Sequence, residues 1–449
     1  MGQEATVAIQ RMGLEGEGVG EWPDGRVAFV AGALPGETAR ARLRDSHRTY
    51  VKAVVTELLQ IAPERVTPRC PVFPACGGCA LQHWDYQAEL AYKTQRVREA
   101  LQRVGHLSGV AVRPILGAEN PWHYRNKGQF PWGMADGRPV LGLYRRQSHA
   151  VVATDRCEIQ DPLINRILPV ARSWAERLRL PVYDEATRRG LLRHLLVRTS
   201  RWEQKALVLV VGTHFDPRLA RFAEAVQEAV PEVAGVGFNE NPAPGNRVLG
   251  PVTRTLAGRD YLVEQLLGMR FRLSFTAFFQ VNPVQVERLY QAALEALPGD
   301  ADLIWDLYAG VGTLAALASR RAREVWAVEV NPAAVADARK NFAENRLFTV
   351  KMEVGSTAEV LQRWLRQPNS PTPAAVILDP PRSGLEAAVA PLLLQARPQR
   401  LVYVSCRPET LARDLALLHV GYTVDYLQPV DMFPRTDHVE AVACLTRRA

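Results

Sequence analysis

Apolar residues recur along the chain with spacings that change at two points. Up to about Leu59, short apolar stretches such as TVAIQ and TYVKAVVTELL alternate with glycine and aspartate turns. Short strands at such close spacing predict a small β-barrel of the OB type over residues 1–60. A loop rich in proline, glycine and cysteine follows. The stretch DYQAELAYKTQRVREALQRVG then has apolar residues on one side and basic residues on the other, which predicts a helix at about 85–105.

The remaining chain divides into a mixed part and an alternating part. Residues 61–265 combine hairpin-like stretches with two helical ones, which predicts a central α+β domain. From about residue 266, apolar strands such as AAVILDPP and RLVYVSC alternate with amphipathic helices such as PETLARDLALLH. This alternation predicts an α/β, Rossmann-like domain with a doubly wound sheet over residues 266–449. We expect the helix at 85–105 to pack on that domain.

Composition indicates a class of binding partner, and the apolar pattern argues against a membrane span or a signal peptide. The 449 residues are 47% hydrophobic and 23% charged, with a formal net charge of +8, which favours a polyanionic partner. No apolar run approaches the roughly 18 residues of a membrane span. The start MGQEATVAIQRMG lacks the apolar core of a signal peptide. These features predict a monomeric cytoplasmic protein with no membrane association.

Three of the six cysteines form a compact group. Cys70, Cys76 and Cys79 have the spacing C-x5-C-x2-C, whereas Cys406 and Cys444 lie far downstream. In a chain without a signal peptide, this group indicates a metal or cluster site in a reducing compartment rather than disulfides.

The stretch DLYAGVGTL has the form of a strand, a glycine turn and a helix. Gly310 and Gly312 permit a tight turn and close approach of a ligand, although Ala315 stands where a dinucleotide fingerprint has its third glycine. Glu329 ends the next strand about 20 residues on, the spacing of an acid that binds ribose hydroxyls. The alternative is a plain turn and a surface acid. Both features together favour a nucleoside-bearing cofactor.

The acids around this turn distinguish two cofactors. A dinucleotide needs backbone amides that face a pyrophosphate. Asp306 on the preceding strand suits the cationic amino-acid part of S-adenosylmethionine better, and DPPR ends a neighbouring strand. We therefore favour S-adenosylmethionine over a nicotinamide dinucleotide.

Cys406 follows a buried strand and precedes a helix, at the sheet edge where α/β proteins bind ligands. The helix N-terminus and Arg407 would favour a thiolate, so we interpret Cys406 as a nucleophile rather than a structural thiol.

Thiolate addition to C6 of uracil makes C5 nucleophilic enough to take a methyl group, and a base must then remove the C5 proton. Glu440, at the head of the last apolar strand, is the candidate base; a solvated strand-end carboxylate is the alternative. Cys444 is assigned to the core.

Four stretches together resemble one protein family. LDPPRSG, YVSCRP, DLYAGVGT and MFPRTDHVEAV are similar to motifs of the TrmA/RlmD (RumA-like) RNA uracil-5-methyltransferases. The stretch GEGVG…VAFVAGALPGE resembles the N-terminal TRAM domain of that family, an RNA-binding barrel. CPVFPACGGCALQHWDY, together with the distant Cys157, resembles the iron–sulfur motif of its rRNA-modifying members. The resemblance covers nearly the whole chain.

This resemblance implies roles for individual residues. Cys406 matches the nucleophile, Glu440 the base, and Gln280 and Asp379 match contacts to both methyl donor and uracil. Further methyl-donor contacts are implied for Tyr308, Gly310, Thr313, Glu329 and Ser356. Tyr308, Ala309 and Thr313 depart from the Phe, Cys and Asn of some members, and Ser356 replaces a common Asp or Asn.

The cysteine motif and the basic stretches complete the predicted sites. Four thiolates from Cys70, Cys76, Cys79 and Cys157 would suit zinc or an iron–sulfur cluster equally on chemistry alone, and the resemblance favours a structural [4Fe–4S] cluster. Candidate RNA-binding stretches are WHYRNKGQF, with Arg125 and Lys127, and also RRQSH and LRHLLVR, although solvated faces would read the same. SFTAFFQ could line a pocket for a flipped uracil.

We therefore predict an S-adenosylmethionine-dependent RNA uridine C5-methyltransferase. Ribosomal RNA, 23S in particular, is favoured over tRNA because tRNA-acting bacterial relatives typically lack both the cysteine motif and the barrel. The alternatives are a tRNA T-loop methyltransferase, a non-catalytic RNA-binding module and a nicotinamide oxidoreductase with an iron–sulfur centre.

Overall fold

The computed structural model describes residues 3–367 and 371–449. The N-terminal part is a closed five-stranded barrel in the order β1-β2-β3-β5-β4. Its interior is filled by a small apolar cluster that includes Val7, Trp22, Val30 and Val51. The barrel predicted from the short strands is therefore confirmed. Its strands are β1 (Glu4–Met12), β2 (Gly18–Glu21), β3 (Val27–Ala31), β4 (Thr38–Ser46) and β5 (Tyr50–Gln60).

The middle of the chain forms a seven-stranded sheet in the order β13-β12-β11-β10-β7-β8-β9. Its strands are antiparallel except for β11 and β12, and helices α2 and α3 cover its apolar core. The elements are α1 (Tyr86–Arg103), β6 (Ala111–Val112), β7 (Lys127–Ala135), β8 (Arg138–Tyr144), β9 (Val151–Ala153), α2 (Pro162–Arg177), β10 (Leu192–Ser200), β11 (Lys205–Gly212), α3 (Arg218–Ala229), β12 (Val233–Glu240) and β13 (Val252–Gly258). A hairpin of β14 (Tyr261–Leu266) and β15 (Met269–Ser274) follows.

The C-terminal part is an eight-stranded sheet in the order β18-β17-β16-β19-β20-β22-β21-β6. The first five strands are parallel, β22 runs antiparallel between β20 and β21, and β6 joins the far edge. The elements are α4 (Pro283–Glu295), β16 (Ala301–Leu307), α5 (Thr313–Ala318), β17 (Ala322–Glu329), α6 (Pro332–Glu344), β18 (Val350–Val354), α7 (Thr357–Arg366), β19 (Ala375–Leu378), α8 (Val389–Ala396), β20 (Arg400–Ser405), α9 (Pro408–Leu418), β21 (Tyr422–Val430) and β22 (Glu440–Arg447). The predicted α/β fold class is confirmed.

Segment 86–112 lies with this C-terminal sheet rather than with the middle one. Val97 and Leu101 of α1 belong to the same buried cluster as Leu411 and Leu415 of α9. Strand β6 pairs with β21. The sequence could not show this placement of β6, because two residues are too few for a periodic signal.

Helix starts are specified locally by the sequence. Asp85 accepts hydrogen bonds from the first backbone N–H groups of α1. Asn282 and Asn331 cap α4 and α6, each followed by a proline at the first helical position. Such caps satisfy N–H groups that have no partner within the helix. No helix of the described residues is both long and apolar enough to cross a membrane.

Candidate active site

A cleft of about 1400 Å³ lies at the carboxyl ends of strands β16, β17, β19 and β20. The strand order reverses between β16 and β19, the position where open α/β sheets bind ligands. Predicted residues from eight separate stretches of the chain meet there. The cleft is lined by Arg125, Gln280, Tyr308, Gly310, Thr313, Glu329, Ser356, Asp379, Cys406 and Glu440, among others.

The pairing of β20 with β22 brings the predicted nucleophile and base together. Ser405 of β20 pairs with Ala441 of β22. Because the two strands are antiparallel, Cys406 and Glu440, each one residue beyond this pair, lie at the same edge of the sheet. The thiol is partly buried, whereas the Glu440 residue is only 3% exposed.

Burial and neighbouring charges determine how these groups titrate. Burial raises the pKa of Cys406, the charge of Glu440 raises it further, and Arg382 opposes both. Burial raises the pKa of Glu440 to about 8, with a further upward contribution from Asp379. Burial also raises the pKa of Asp379 to about 7. The expected cation Arg407 is not the one that acts here: Arg382 lowers the pKa of Cys406, and the net shift is upward.

Arg382 and His438 are site residues that the sequence reasoning missed. Arg382 follows Asp379 in DPPR, and its guanidinium lies 3.3 Å from Nε2 of His438. Both side chains line the cleft. Arg382 is the cation that acts on both Cys406 and Glu440. Its position within the strand-end motif was a signal that could have identified it.

The glycine turn is built for close approach of a ligand. Gly310 and Gly312 have φ angles of 56° and 76°. A Cβ on Gly312 would lie 2.4 Å from Cζ of Phe342, whereas a Cβ on Gly310 would meet no atom within 4 Å. The Gly310 N–H donates to Oε2 of Glu329 at 3.0 Å, and the Asn331 N–H donates to Oε1 at 2.8 Å. These bonds fix the Glu329 carboxylate beside the turn.

Asp306 lies beneath this turn and is fully buried. The residue is 0% exposed, and no side chain of the described residues hydrogen-bonds either carboxylate oxygen. Burial raises its pKa well above the usual range and the charge of Asp379 adds to the shift, whereas the backbone N–H of Ala315 opposes it. A buried acid without a cationic partner that lines a cleft is suited to a cationic group.

The remaining predicted cofactor contacts form the walls of the cleft. Thr313 begins α5, and Ser356 precedes α7. The Ser356 hydroxyl donates to Oε2 of Glu386 at 3.2 Å. The Glu386 N–H donates to the Tyr308 hydroxyl at 3.5 Å.

Loop 275–282 contributes a polar and an apolar side chain. Gln280 is 8% exposed, whereas Phe278 is 66% exposed, and both line the cleft. An exposed phenylalanine on a cleft wall can stack on a base. The stretch SFTAFFQ predicted a pocket wall here, but no local signal singled out Phe278.

Of the predicted RNA-binding stretches, some contribute residues to the cleft and others are buried. Arg125 and Arg146 line the cleft. Lys127 does not, and burial followed by the charges of Arg198 and Arg125 lowers its pKa to about 7. The stretch LRHLLVR is wrong as a surface patch, because it lies in β10, which is buried throughout. Trp122, Tyr124 and Phe130 are buried as well, so they are not available for stacking.

The four cysteines line one small cavity next to the cleft. Cys70, Cys76, Cys79 and Cys157 surround it together with apolar side chains. The pKa of Cys157 is raised to about 11, mainly by burial and to a smaller extent by the charges of Cys76 and Cys70. Among the described residues, no three His, Cys, Asp or Glu side chains are placed to hold a metal ion. The predicted cluster therefore stays a prediction.

Two family models and several RNA methyltransferases match this chain. The family model for tRNA (uracil-5-)-methyltransferase matches residues 252–448, and the TRAM domain model matches residues 1–56. RNA methyltransferases from Listeria innocua and Halalkalibacterium halodurans are 38% and 37% identical. The alignments cover 100% and 98% of this chain, and 98% and 96% of the relatives.

A solved structure shares the fold along almost the entire chain. The tRNA (uracil-54, C5)-methyltransferase of Pyrococcus abyssi, in complex with S-adenosyl-L-homocysteine, superimposes with a TM-score of 0.78 at 24% identity. The match covers 98% of this chain and 100% of that one.

Proposed function

Because the chain belongs to the RNA uracil-5-methyltransferase family, we propose that it transfers a methyl group from S-adenosylmethionine to C5 of a uridine. The observation that carries the proposal is the β20–β22 register, which places Cys406 and Glu440 at one edge of a single cleft. A thiol beside a carboxylate is the pair that covalent activation of uracil requires.

The residues around the glycine turn fit the methyl donor. Glu329 is fixed where it could accept ribose hydroxyls. The buried acid Asp306, which has no side-chain partner among the described residues, would complement the donor's ammonium group. Thr313, Ser356 and Tyr308 supply polar walls. When bound, S-adenosylmethionine supplies an electrophilic methyl group.

Two residues of the chain carry the chemistry on uracil. The Cys406 thiolate forms a bond to C6, and the C5–C6 π electrons move towards C5 and O4 as an enolate. C5 then attacks the methyl carbon of the donor, and the bond between that carbon and the sulfonium sulfur breaks to leave S-adenosyl-L-homocysteine. Glu440 removes the C5 proton, the C5=C6 double bond re-forms, and the S–C6 bond breaks, which returns the thiolate. Asp379, Gln280 and Phe278 line the same cleft and would hold the flipped base.

A mechanism-based trap tests the covalent step. Incubation with 5-fluorouridine RNA and S-adenosylmethionine is expected to leave a stable adduct, because C5 then carries fluorine instead of a removable proton. Peptide mapping should locate the RNA on Cys406. The matched control is Cys444→Ser, a change at a fully buried thiol of the core, which should form the adduct normally. An adduct on another residue, or none with an RNA that is otherwise methylated, would contradict the mechanism.

We propose ribosomal RNA as the substrate, with 23S rRNA favoured. The cysteine cavity and the barrel support this choice, since tRNA-acting bacterial relatives typically lack both. The tRNA alternative is supported by the descriptions of the matching family model and of the solved structure. Nucleoside mapping of rRNA and tRNA from a strain without this protein should show one 5-methyluridine lost from 23S rRNA. A loss confined to tRNA would exclude the rRNA assignment.

We also propose that the cysteine cavity holds a [4Fe–4S] cluster with a structural role. The support is that all four thiols line one cavity, as the four thiolate ligands of such a cluster must, together with the resemblance of the motif to iron–sulfur members of the family. Anaerobic purification should yield about four irons and four sulfides per chain, and Cys157→Ser should lower both contents. One zinc per chain would contradict this proposal.

A further inference from the structure

The segment that leads to the candidate base has no regular structure of its own. Among the described residues, 431–439 form neither helix nor strand, although they join β21 to Glu440 at the start of β22. Phe433, Thr436 and His438 of this segment line the cleft. Glu440 itself pairs with Val430 at the end of β21. Contacts that hold the next residue, Asp431, and the segment after it therefore bear on the position of Glu440.

A buried lysine on α1 is the centre of these contacts. Lys93 Nζ donates to Oε1 of Glu89 at 2.7 Å, to Oδ1 of Asp431 at 2.7 Å and to the Phe433 carbonyl at 3.1 Å. The three charged side chains are 0% exposed. We call Glu89, Lys93, Asp431 and Arg435 the Lys93 cluster.

Arg435 connects the same cluster to the chain beyond the cysteines. Its backbone N–H donates to Oε1 of Glu89 at 2.8 Å, and its Nη1 donates to the Trp84 carbonyl at 2.9 Å. The Arg435 carbonyl accepts from the N–H groups of Ala80 and Leu81 at 3.1 and 3.0 Å. Since Ala80 follows Cys79, the cysteine loop and α1 hold the segment together.

Stability alone does not account for such a cluster. Buried ion pairs are costly to desolvate, and apolar residues of similar volume often stabilise a protein as well or better. What charged hydrogen bonds add is direction, because each fixes a donor against one acceptor atom. Here those acceptors include a side chain and a backbone carbonyl of the segment before Glu440.

We propose that the Lys93 cluster is a positioning device for Glu440, and that it sets the rate at which the C5 proton is removed. This inference rests on the proposed function. Cys406 lies between β20 and α9 and takes part in none of the hydrogen bonds of the Lys93 cluster. Disturbance of the cluster should therefore slow elimination of the methylated adduct more than its formation.

The test follows the adduct in Lys93→Met with RNA that contains ordinary uridine and with S-adenosylmethionine. Single-turnover release of methylated RNA should fall by about 100-fold, the scale of a displaced catalytic group. The covalent RNA–protein species should accumulate on denaturing gels, with KM for RNA little changed. Glu440→Gln is the reference, since loss of the base itself should accumulate the same species. Lys93→Arg should restore part of the release rate.

Two further variants separate positioning from stability. Tyr86→Phe removes only the hydroxyl that donates to Oδ2 of Asp431 at 2.7 Å, so it should give a smaller effect in the same direction even if Lys93→Met does not fold. Arg259→Met is the matched control, because it breaks the ion pair with Glu203 away from the cleft. It should lower thermal stability without accumulation of adduct.

The possible outcomes separate a failure of the positioning role from a failure of the proposed catalytic mechanism. If Glu440→Gln accumulates no adduct, the proposed mechanism fails. If Glu440→Gln accumulates adduct while neither Lys93→Met nor Tyr86→Phe does, the positioning role is overturned. Equal accumulation in Arg259→Met would also overturn it, because any loss of stability would then suffice.

Discussion

At the scale of single residues, burial dominates the chemistry of the site. The pKa of Glu440 is raised to about 8 because burial disfavours its charged form, and Asp379 adds to the effect. A base must be ionised to accept a proton, and a nucleophilic thiol must be ionised to attack. Both groups therefore become active as the pH rises.

The rate of methyl transfer should accordingly increase with pH. Each deprotonation contributes about a tenfold increase per pH unit below its pKa. We expect single-turnover rates to rise through pH 7 and to go on rising beyond the pKa of Glu440, because the pKa of Cys406 is raised as well. Arg382→Gln should move the midpoint to higher pH, because it removes the cation that lowers both pKa values. A rate that peaks at acidic pH, or a midpoint that moves down, would contradict this account.

At the scale of elements, the two glycines of the turn after β16 have different roles, because Gly312 packs against a side chain and Gly310 faces the cleft. Both glycines have positive φ angles, which cost other residues roughly 1–2 kcal/mol. Only Gly312 also packs against a neighbouring side chain, that of Phe342 on α6. Gly310 faces the open cleft.

Alanine at the two positions should therefore give different results. Gly312→Ala forces a Cβ to within 2.4 Å of Phe342, and overpacking should lower the free energy of unfolding by a further ~1–3 kcal/mol. Gly310→Ala should cost only the backbone strain but should weaken binding of S-adenosylmethionine. Thermal unfolding and calorimetric titration of both variants measure the difference. Equal losses of stability would show that the contact with Phe342 is unimportant.

At the scale of the whole molecule, the barrel offers charge outside the cleft. Arg42, Arg44 and Arg48 are exposed on β4 and the turn that follows it. Tyr92 of α1 donates a hydrogen bond to the Gly13 carbonyl at 2.6 Å, which ties the barrel to the catalytic part. A basic surface connected in this way can hold RNA while one base enters the cleft.

Charge removal from the barrel should weaken RNA binding and its dependence on salt. Replacement of Arg42, Arg44 and Arg48 by glutamine should make the slope of log Kd against log salt shallower by about 0.7 for each phosphate that the protein no longer neutralises. The matched control replaces Arg138, Arg221 and Arg323, three exposed arginines outside the barrel. Filter binding at several salt concentrations measures both slopes. Equal changes in the two triple variants would indicate a general charge effect instead of a barrel surface.

Much of this protein was determined by its sequence because the relevant signals are local. The barrel follows from short strands, the Rossmann-like sheet from alternating apolar strands and helices, and the helix starts from Asp85, Asn282 and Asn331. The candidate site residues could be proposed in advance because the carboxyl ends of parallel strands share one edge. LRHLLVR was misread because a fully buried strand can carry basic residues whose partners are distant in sequence.

Tertiary structure alone decided how these parts act on one another. The register of β22 against β20 sets Glu440 opposite Cys406, and it depends on pairing between strands rather than on either stretch. The raised pKa values depend on burial, which no local pattern gives. The contacts of Lys93 with Asp431 and Phe433 join residues more than 300 positions apart. Hydrogen bonds and desolvation act over a few ångströms in space, so their consequences emerge only once distant segments have been packed together.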